Sequence, residues 1–156
     1  MPSLATSGFG RRTGVYIGHG IREQQIGEKQ VLKDVLLVAL GGGIGSATRY
    51  LVGLSVLERW PGAAWAGTLT VNLVGCFLMG FLFAMARRHA VSTSTLYPMI
   101  TTGALGGFTT FSTFSLDAMR AVETGRPGLA ASYVAVSVVG GLVGCAAGLA
   151  AGRAGA

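Results

Sequence analysis

The stretch Gly103-Ala-Leu-Gly-Gly-Phe-Thr-Thr-Phe-Ser-Thr-Phe-Ser115 decides how this chain is built. It lies in a predominantly apolar part of the sequence, yet it contains the glycine pair Gly106-Gly107. Five of its last seven residues carry a hydroxyl group. Glycine costs a helix interior about 1 kcal/mol relative to alanine, and Ser and Thr hydroxyls compete for helical backbone groups. The stretch therefore predicts a helix that is interrupted near its middle.

Such an interruption has a strong physical consequence inside a membrane. Carbonyl groups freed from a helix find no water in lipid, so the non-helical backbone must be buried in protein, line a water-filled path or hold an ion. The alternative is a packing face, because small residues and hydroxyls also join membrane helices. Seven Ser and Thr residues between positions 101 and 115 exceed what packing requires, and we favour a functional interruption.

The chain around this stretch has the composition of a membrane protein. Hydrophobic residues make up 51% of it and charged residues only 12%, against about 25% in a typical soluble domain. Its apolar runs approach the roughly 20 residues that a helix needs to cross a bilayer. The sequence predicts an all-α membrane protein with four transmembrane helices, the third of them broken mid-membrane. The predicted spans are residues 34–57, 65–86, 96–119 and 128–151.

The chain divides into two parts. Residues 1–33 lack an apolar run long enough for a signal peptide, and we expect them to form a flexible N-terminal extension. Residues 34–153 form the four-helix transmembrane domain of a multi-pass protein, expected in the inner (plasma) membrane and surrounded by the lipid bilayer. Lys and Arg near span ends set orientation. Five such residues on one side against three on the other are a weak bias, which permits insertion in both directions.

Other functional classes lack support in the sequence. The net charge of +6 is scattered, without a basic helix or interleaved aromatic residues, so no nucleic-acid partner is expected. No enzymatic activity is expected either, because His19 and His89 lack a nucleophile or metal ligand nearby in the sequence.

Cys76 and Cys145 lie in apolar surroundings and are predicted to be free, buried thiols. The glycines of residues 41–45 match no nucleotide-binding motif and favour close helix packing.

A few side chains in the predicted spans carry functional potential. Asn72 would either bind a substrate or form an interhelical hydrogen bond. Phe108, Phe111 and Phe114 recur every three residues, and their electropositive ring edges suit either an anion or ordinary packing. Arg49 is the one cation within a span, where it would either extend to an interface or attract anions into a vestibule.

Three motifs together resemble the Fluc/CrcB family of fluoride channels. They are Gly42-Gly-Ile-Gly-Ser-Ala-Thr-Arg-Tyr50, Gly67-Thr-Leu-Thr-Val-Asn-Leu-Val-Gly75 and the stretch from Gly103 to Ser115. The resemblance covers residues 34–153. It implies an antiparallel, dual-topology dimer, either a homodimer or a heterodimer with a related chain, that passively exports cytoplasmic fluoride.

The resemblance also implies which residues contact ions. Backbone carbonyls of Gly106 and Thr109 from both subunits would enclose a structural sodium ion (Na+) at the dimer centre. Asn72 would donate to fluoride, and Phe111 and Phe114 would present ring edges along the pore. The candidate hydroxyl donors are Thr110, Ser112, Thr113, Tyr133 and Ser137. The family commonly has Glu where this chain has Asp117.

The alternative function is a small dimeric proton-coupled exporter of the multidrug type. Proton coupling would require a carboxylate near the middle of the bilayer. Asp117 lies near the end of the predicted third span and Asp34 at the start of the first, so neither position suits that role. A purely structural membrane subunit is a third possibility.

Overall fold

The computed structural model describes residues 27–88 and 94–154, and every regular element within them is a helix. The elements are α1, Glu28–Arg59; α2, Trp65–Arg88; α3, residues 96–108; α4, Phe111–Glu123; and α5, Pro127–Ala154. In α3, the π-helical Met99–Leu105 lies between the short α-helical pieces Leu96–Pro98 and Gly106–Phe108. The prediction of an all-α protein is confirmed for the described residues.

Three of these helices are long and apolar enough to cross a membrane. Among the described residues they are α1, α2 and α5, with 32, 24 and 28 residues. Even α2 extends about 36 Å, which exceeds the roughly 30 Å hydrocarbon core of a bilayer. Large apolar side chains such as Leu36, Phe83 and Leu142 are exposed along these helices, as expected for surfaces that contact lipid. The chain is a multi-pass membrane protein.

Glycines allow α1 and α3 to pack in backbone contact. A Cβ atom added to Gly41 would collide with the carbonyl oxygen of Met99, and one added to Gly45 would collide with the carbonyl oxygen of Ala104. Small residues permit such close approach, which replaces the hydrophobic driving force that lipid cannot supply between helices. The glycines of α1 thus have the packing use that the sequence favours, and they fix α3 against α1.

A second close contact joins α2 to α5. A Cβ atom on Gly80 would collide with the carbonyl oxygen of Cys145, and one on Gly148 with that of Phe77. Both cysteines, Cys76 and Cys145, are free and half-buried. The glycines thus join the helices in two pairs, α1 with α3 and α2 with α5. In addition, α2 contacts both α3 and α4.

The first helix begins earlier than the predicted first span. It starts at Glu28, whose carboxylate suits the positive end of a helix dipole, and Gln30 Nε2 donates to Asp34 Oδ1 at 2.8 Å one turn later. Residues 1–26, most of the predicted extension, and His89 lie outside the described residues. The extension therefore stays a prediction.

Candidate functional site

Helical backbone stops for two residues between α3 and α4. Thr109, with φ −90° and ψ 160°, and Thr110, with φ −154° and ψ 120°, are both extended. We call Thr109 and Thr110 the extended pair. The end of α3 is closed by Thr109, whose N–H and Oγ1 each donate to the Leu105 carbonyl at 3.0 Å. The extended pair lies in the glycine- and hydroxyl-rich stretch, where the sequence predicts an interruption.

Asn72 of α2 holds the extended pair through two hydrogen bonds. Its Nδ2 donates to the carbonyl of Thr110 at 3.0 Å, and its Oδ1 accepts from the N–H of Thr110 at 2.8 Å. A side-chain amide carries both a donor and an acceptor, so it can pair with both polar groups of one residue. Both Thr110 backbone groups are therefore satisfied without water, as a membrane interior requires.

The side chain of Thr110 starts the next helix. Its Oγ1 accepts from the N–H of Thr113 at 3.2 Å, which is the hydrogen bond of an N-cap residue. The same oxygen lies 3.1 Å from the Thr113 hydroxyl and 3.2 Å from the Ser112 hydroxyl. Three of the predicted hydroxyl donors thus form one cluster at the N-terminus of α4.

The carbonyl groups of residues 106–109 lose their helical N–H donors at this point. In a continuous α-helix, the N–H of Thr110 would bond to Gly106 and the N–H of Thr113 would bond to Thr109. These N–H groups instead donate to Asn72 Oδ1 and Thr110 Oγ1. The released carbonyls include those of Gly106 and Thr109, the two positions at which the family resemblance implies cation ligands.

Arg49 of α1 contacts the end of α3. Its Nε donates to the Gly107 carbonyl at 2.9 Å, and the Ser46 hydroxyl reaches the same oxygen at 3.4 Å. The guanidinium is half-buried and lines a cavity of about 210 Å³ together with Thr110 and Thr113. Arg49 therefore lies beside the extended pair, whereas the sequence left open whether it extends to an interface or faces a vestibule.

Aromatic rings of α2, α4 and α5 form a row. The ring centroids are 5.4 Å apart for Phe111 and Phe114, 5.3 Å for Phe114 and Tyr133, and 5.7 Å for Tyr133 and Trp65. Phe114 and Tyr133 are buried, whereas Phe111 is 79% exposed. Phe108 is not part of this row and lies against α2 near Gly75.

Two hydroxyl groups beside this row lack a close partner, although the Thr68 hydroxyl lies near that of Tyr133. Tyr133 Oη and Ser137 Oγ are buried and form no hydrogen bond within the described part of the chain. They lie one turn apart on α5, so they share one face of the helix. An unsatisfied buried polar group costs about 1–3 kcal/mol, and both groups are therefore suited to donate to an anion.

Comparison with known proteins agrees with the three sequence motifs. The family described as CrcB-like protein, Camphor Resistance (CrcB) matches residues 36–149, well over half of the chain. The chain belongs to the CrcB family. The resemblance proposed from the sequence is thereby confirmed, and the family is not one of enzymes.

Curated relatives of this CrcB chain carry the name fluoride-specific ion channel FluC. The relative from Agrobacterium fabrum is 47% identical over 121 residues, which cover 77% of this chain and 96% of the relative. The relative from Cereibacter sphaeroides is 46% identical over 123 residues, covering 79% and 97%. The relative from Pseudomonas putida is 43% identical over 115 residues, covering 74% and 93%.

One polar contact of this CrcB chain involves a residue that the sequence analysis missed. Thr68 is buried on α2, and its Oγ1 donates to Asp117 Oδ2 at 2.8 Å. A signal existed in the sequence, because Thr68 precedes Asn72 by four residues and shares its helix face.

The described residues contain no group of three or more His, Cys, Asp or Glu side chains that could hold a metal ion.

The structure brings most predicted site residues into two groups. The first surrounds the extended pair and contains Arg49, Asn72, Gly106, Thr109, Thr110, Ser112 and Thr113. The second is the aromatic row with its unpaired hydroxyls and contains Phe111, Phe114, Tyr133 and Ser137. The part that each residue plays toward an ion stays a prediction.

Replacing Asn72 should destabilise this CrcB chain through the extended pair. Asn72→Leu preserves side-chain size but leaves both Thr110 backbone groups without their partner, at about 1–3 kcal/mol each. We expect the thermal unfolding midpoint in detergent to fall by several degrees. Thr70→Val is the matched control, because Thr70 is exposed on the same helix and its hydroxyl bonds only to the Ala66 carbonyl. Equal midpoints for the two variants would contradict a structural role for the Asn72 amide.

Proposed function

We propose that this chain is a fluoride-specific ion channel that exports fluoride passively from the cytoplasm. The relatives that carry this name match the chain over at least 93% of their own length. The single observation in the chain that carries the proposal is the pair of buried, unpaired hydroxyls on Tyr133 and Ser137. Fluoride is a small anion that accepts strong hydrogen bonds, and these two groups can replace part of its water shell.

The aromatic row supplies the other side of the proposed path. The edge of a phenyl ring carries partial positive charge, so it can contact an anion without adding a fixed cation that would retain it. Phe114 lies between Phe111 and Tyr133 in the row, and its ring centroid is 5.3 Å from that of Tyr133. Neutral donors and ring edges favour passage, because conduction requires binding that is weak enough to release the ion.

Asn72 has a further donor available for the same path. Its Nδ2 carries two hydrogens, of which one is used in the bond to the Thr110 carbonyl. We propose that the second hydrogen donates to fluoride. In this arrangement one amide both stabilises the extended pair and contacts the ion.

The proposed assembly is an antiparallel dimer in which α3 and α4 together form a third span that is interrupted mid-membrane. The partner is a second copy of this chain or a related chain. Phe111 supports this assembly, because its ring is 79% exposed while its neighbour Phe114 is buried. A partner subunit that covers Phe111 would complete a path that one subunit leaves open on one side.

The released carbonyls of Gly106 and Thr109 fit a structural sodium ion shared by the two subunits. Both are uncharged oxygen donors without their helical N–H partners, and hard cations prefer oxygen ligands. When bound, sodium would satisfy these carbonyls and supply a positive charge that favours an anion nearby. The Thr109 hydroxyl is directed back to the Leu105 carbonyl within α3, and the proposed ligand is the main-chain oxygen.

Fluoride should leave loaded proteoliposomes when a potassium ionophore balances charge and no pH gradient is imposed. Phe114→Ile should slow this efflux about tenfold, because an aliphatic side chain has no electropositive edge. Phe77→Ile on α2 is the matched control, since Phe77 lies outside the aromatic row and is partly exposed. Efflux that requires an imposed pH gradient would favour the proton-coupled exporter. Equal flux of chloride would contradict fluoride specificity.

Sodium should stabilise the proposed dimer through main-chain oxygens. A ligand present at 100 times its dissociation constant stabilises the state that binds it by about 2.7 kcal/mol, so the dimer should unfold at a higher temperature in sodium than in N-methylglucamine. Thr109→Val should keep this difference, because it removes only the hydroxyl. Thr70→Val provides the matched loss of a hydroxyl outside the site. A sodium effect that disappears in Thr109→Val alone would show that the hydroxyl is the ligand, and equal unfolding temperatures for the unmodified chain would exclude the site.

A further inference from the structure

A second cavity lies at the C-terminal ends of α2 and α5, far from the extended pair. It has a volume of about 440 Å³ and is lined by the side chains of Arg87, Arg88 and Arg153. Phe83 and Leu149 form the apolar part of its wall. Arg87 follows Asn72 by 15 positions, which corresponds to about 22 Å along α2. This cavity is therefore separate from Asn72 and the extended pair.

The cavity concentrates positive charge without a compensating carboxylate. Three guanidinium groups line it, and no Asp or Glu is among its lining residues. The N-terminus of α1 reaches the same end, because α1 runs antiparallel to α2, and there Glu28 and Asp34 accompany Lys29 and Lys33. At the opposite end of the bundle the arginines are likewise accompanied by acids, whereas the three arginines of the cavity are not. At that opposite end Arg59 follows Glu58, and Arg120 and Arg126 flank Glu123.

The cavity lies at the depth of lipid headgroups. Arg87 is 22 residues beyond Trp65, and a helix of that length rises about 33 Å, slightly more than the hydrocarbon core. Trp65 suits the opposite interface, where Trp is enriched. The three guanidinium groups consequently meet the level of the phosphate groups, while Phe83 and Leu149 lie toward the acyl chains.

One contact orients a guanidinium within the cavity. The Arg87 guanidinium carbon lies 5.9 Å from the centroid of the Phe83 ring, within the range of a cation–π interaction. This contact is made with the π-face of the Phe83 ring, and the guanidinium has five N–H groups that can donate to a ligand. The helix dipoles attract cations, which accounts for the position of the arginines at the C-terminal helix ends. This attraction does not occupy the guanidinium N–H groups.

We propose that this cavity binds the headgroup of an anionic phospholipid, with one acyl chain along Phe83 and Leu149. Guanidinium groups bind phosphate oxygens in bidentate fashion, and basic pockets between transmembrane helices suit anionic headgroups. The apolar wall selects a lipid over a free phosphate ion, because a free ion gains nothing from Phe83 and Leu149. The site is independent of fluoride conduction.

The test measures lipid association with the full-length protein reconstituted in phosphatidylcholine bilayers. Spin-labelled phosphatidylglycerol and phosphatidylcholine are compared at the protein surface by electron paramagnetic resonance. We expect phosphatidylglycerol to be preferred at least about fivefold, the contribution of one well-placed basic residue. The triple variant Arg87→Gln, Arg88→Gln, Arg153→Gln should reduce that preference to nearly one.

The matched control removes the same charge from the opposite end of the bundle. It is the triple variant Arg59→Gln, Arg120→Gln, Arg126→Gln, which should keep the preference. Equal loss in both variants would overturn the proposal in favour of diffuse attraction to net charge, as would a lack of preference in the unmodified chain. Full displacement of the lipid by millimolar inorganic phosphate would also overturn it, because the apolar wall would then contribute nothing. Fluoride efflux from the same proteoliposomes verifies that each variant is folded.

Discussion

The pairing of the Asn72 side-chain amide with both backbone groups of Thr110 is the contact on which the site depends. In water an extended residue can bond to solvent, but in a bilayer its N–H and carbonyl need partners within the protein. At 2.8 and 3.0 Å, the two hydrogen bonds from Asn72 provide them. A Leu or Ala at position 72 would leave both groups unsatisfied, and a hydroxyl side chain would be too short to pair with both. An amide is thus the neutral side chain that suits this position.

Two further features follow from this pairing. The N–H of Thr110 cannot bond both to Asn72 and to Gly106, so the Gly106 carbonyl is released. The N–H of Thr113 donates to the Thr110 hydroxyl, and the Thr109 carbonyl is released in the same way. Arg49 meanwhile donates to one of the two carbonyls between them, that of Gly107. Positive charge and free oxygen acceptors are therefore both adjacent to the extended pair. Such a set of groups is compatible with an ion-conducting protein and has no evident use in a purely structural subunit.

Local composition predicted several of these features and failed where partners come from distant sequence. Glycine and hydroxyl content placed an interruption within the stretch that contains Thr109 and Thr110, because backbone propensity is a local property. The pairing of Asn72 with Thr110 could not be read from the sequence, since the residues are 38 positions apart. The three-residue spacing of Phe108, Phe111 and Phe114 suggested one aromatic group. The extended pair changes the direction of the chain after Phe108, so only the last two rings join Tyr133.

Selective isotope labelling can test the Asn72 contact directly, because Asn72 is the only asparagine in the sequence. Protein with ¹⁵N in the asparagine side chain and ¹³C in threonine carbonyls would be reconstituted in lipid for solid-state nuclear magnetic resonance. The account predicts a dipolar coupling between Asn72 Nδ2 and a threonine carbonyl carbon that persists in Thr68→Ser and disappears in Thr110→Ser, where the carbonyl is unlabelled. A coupling that survives in Thr110→Ser, or no coupling in the unmodified chain, would contradict the account.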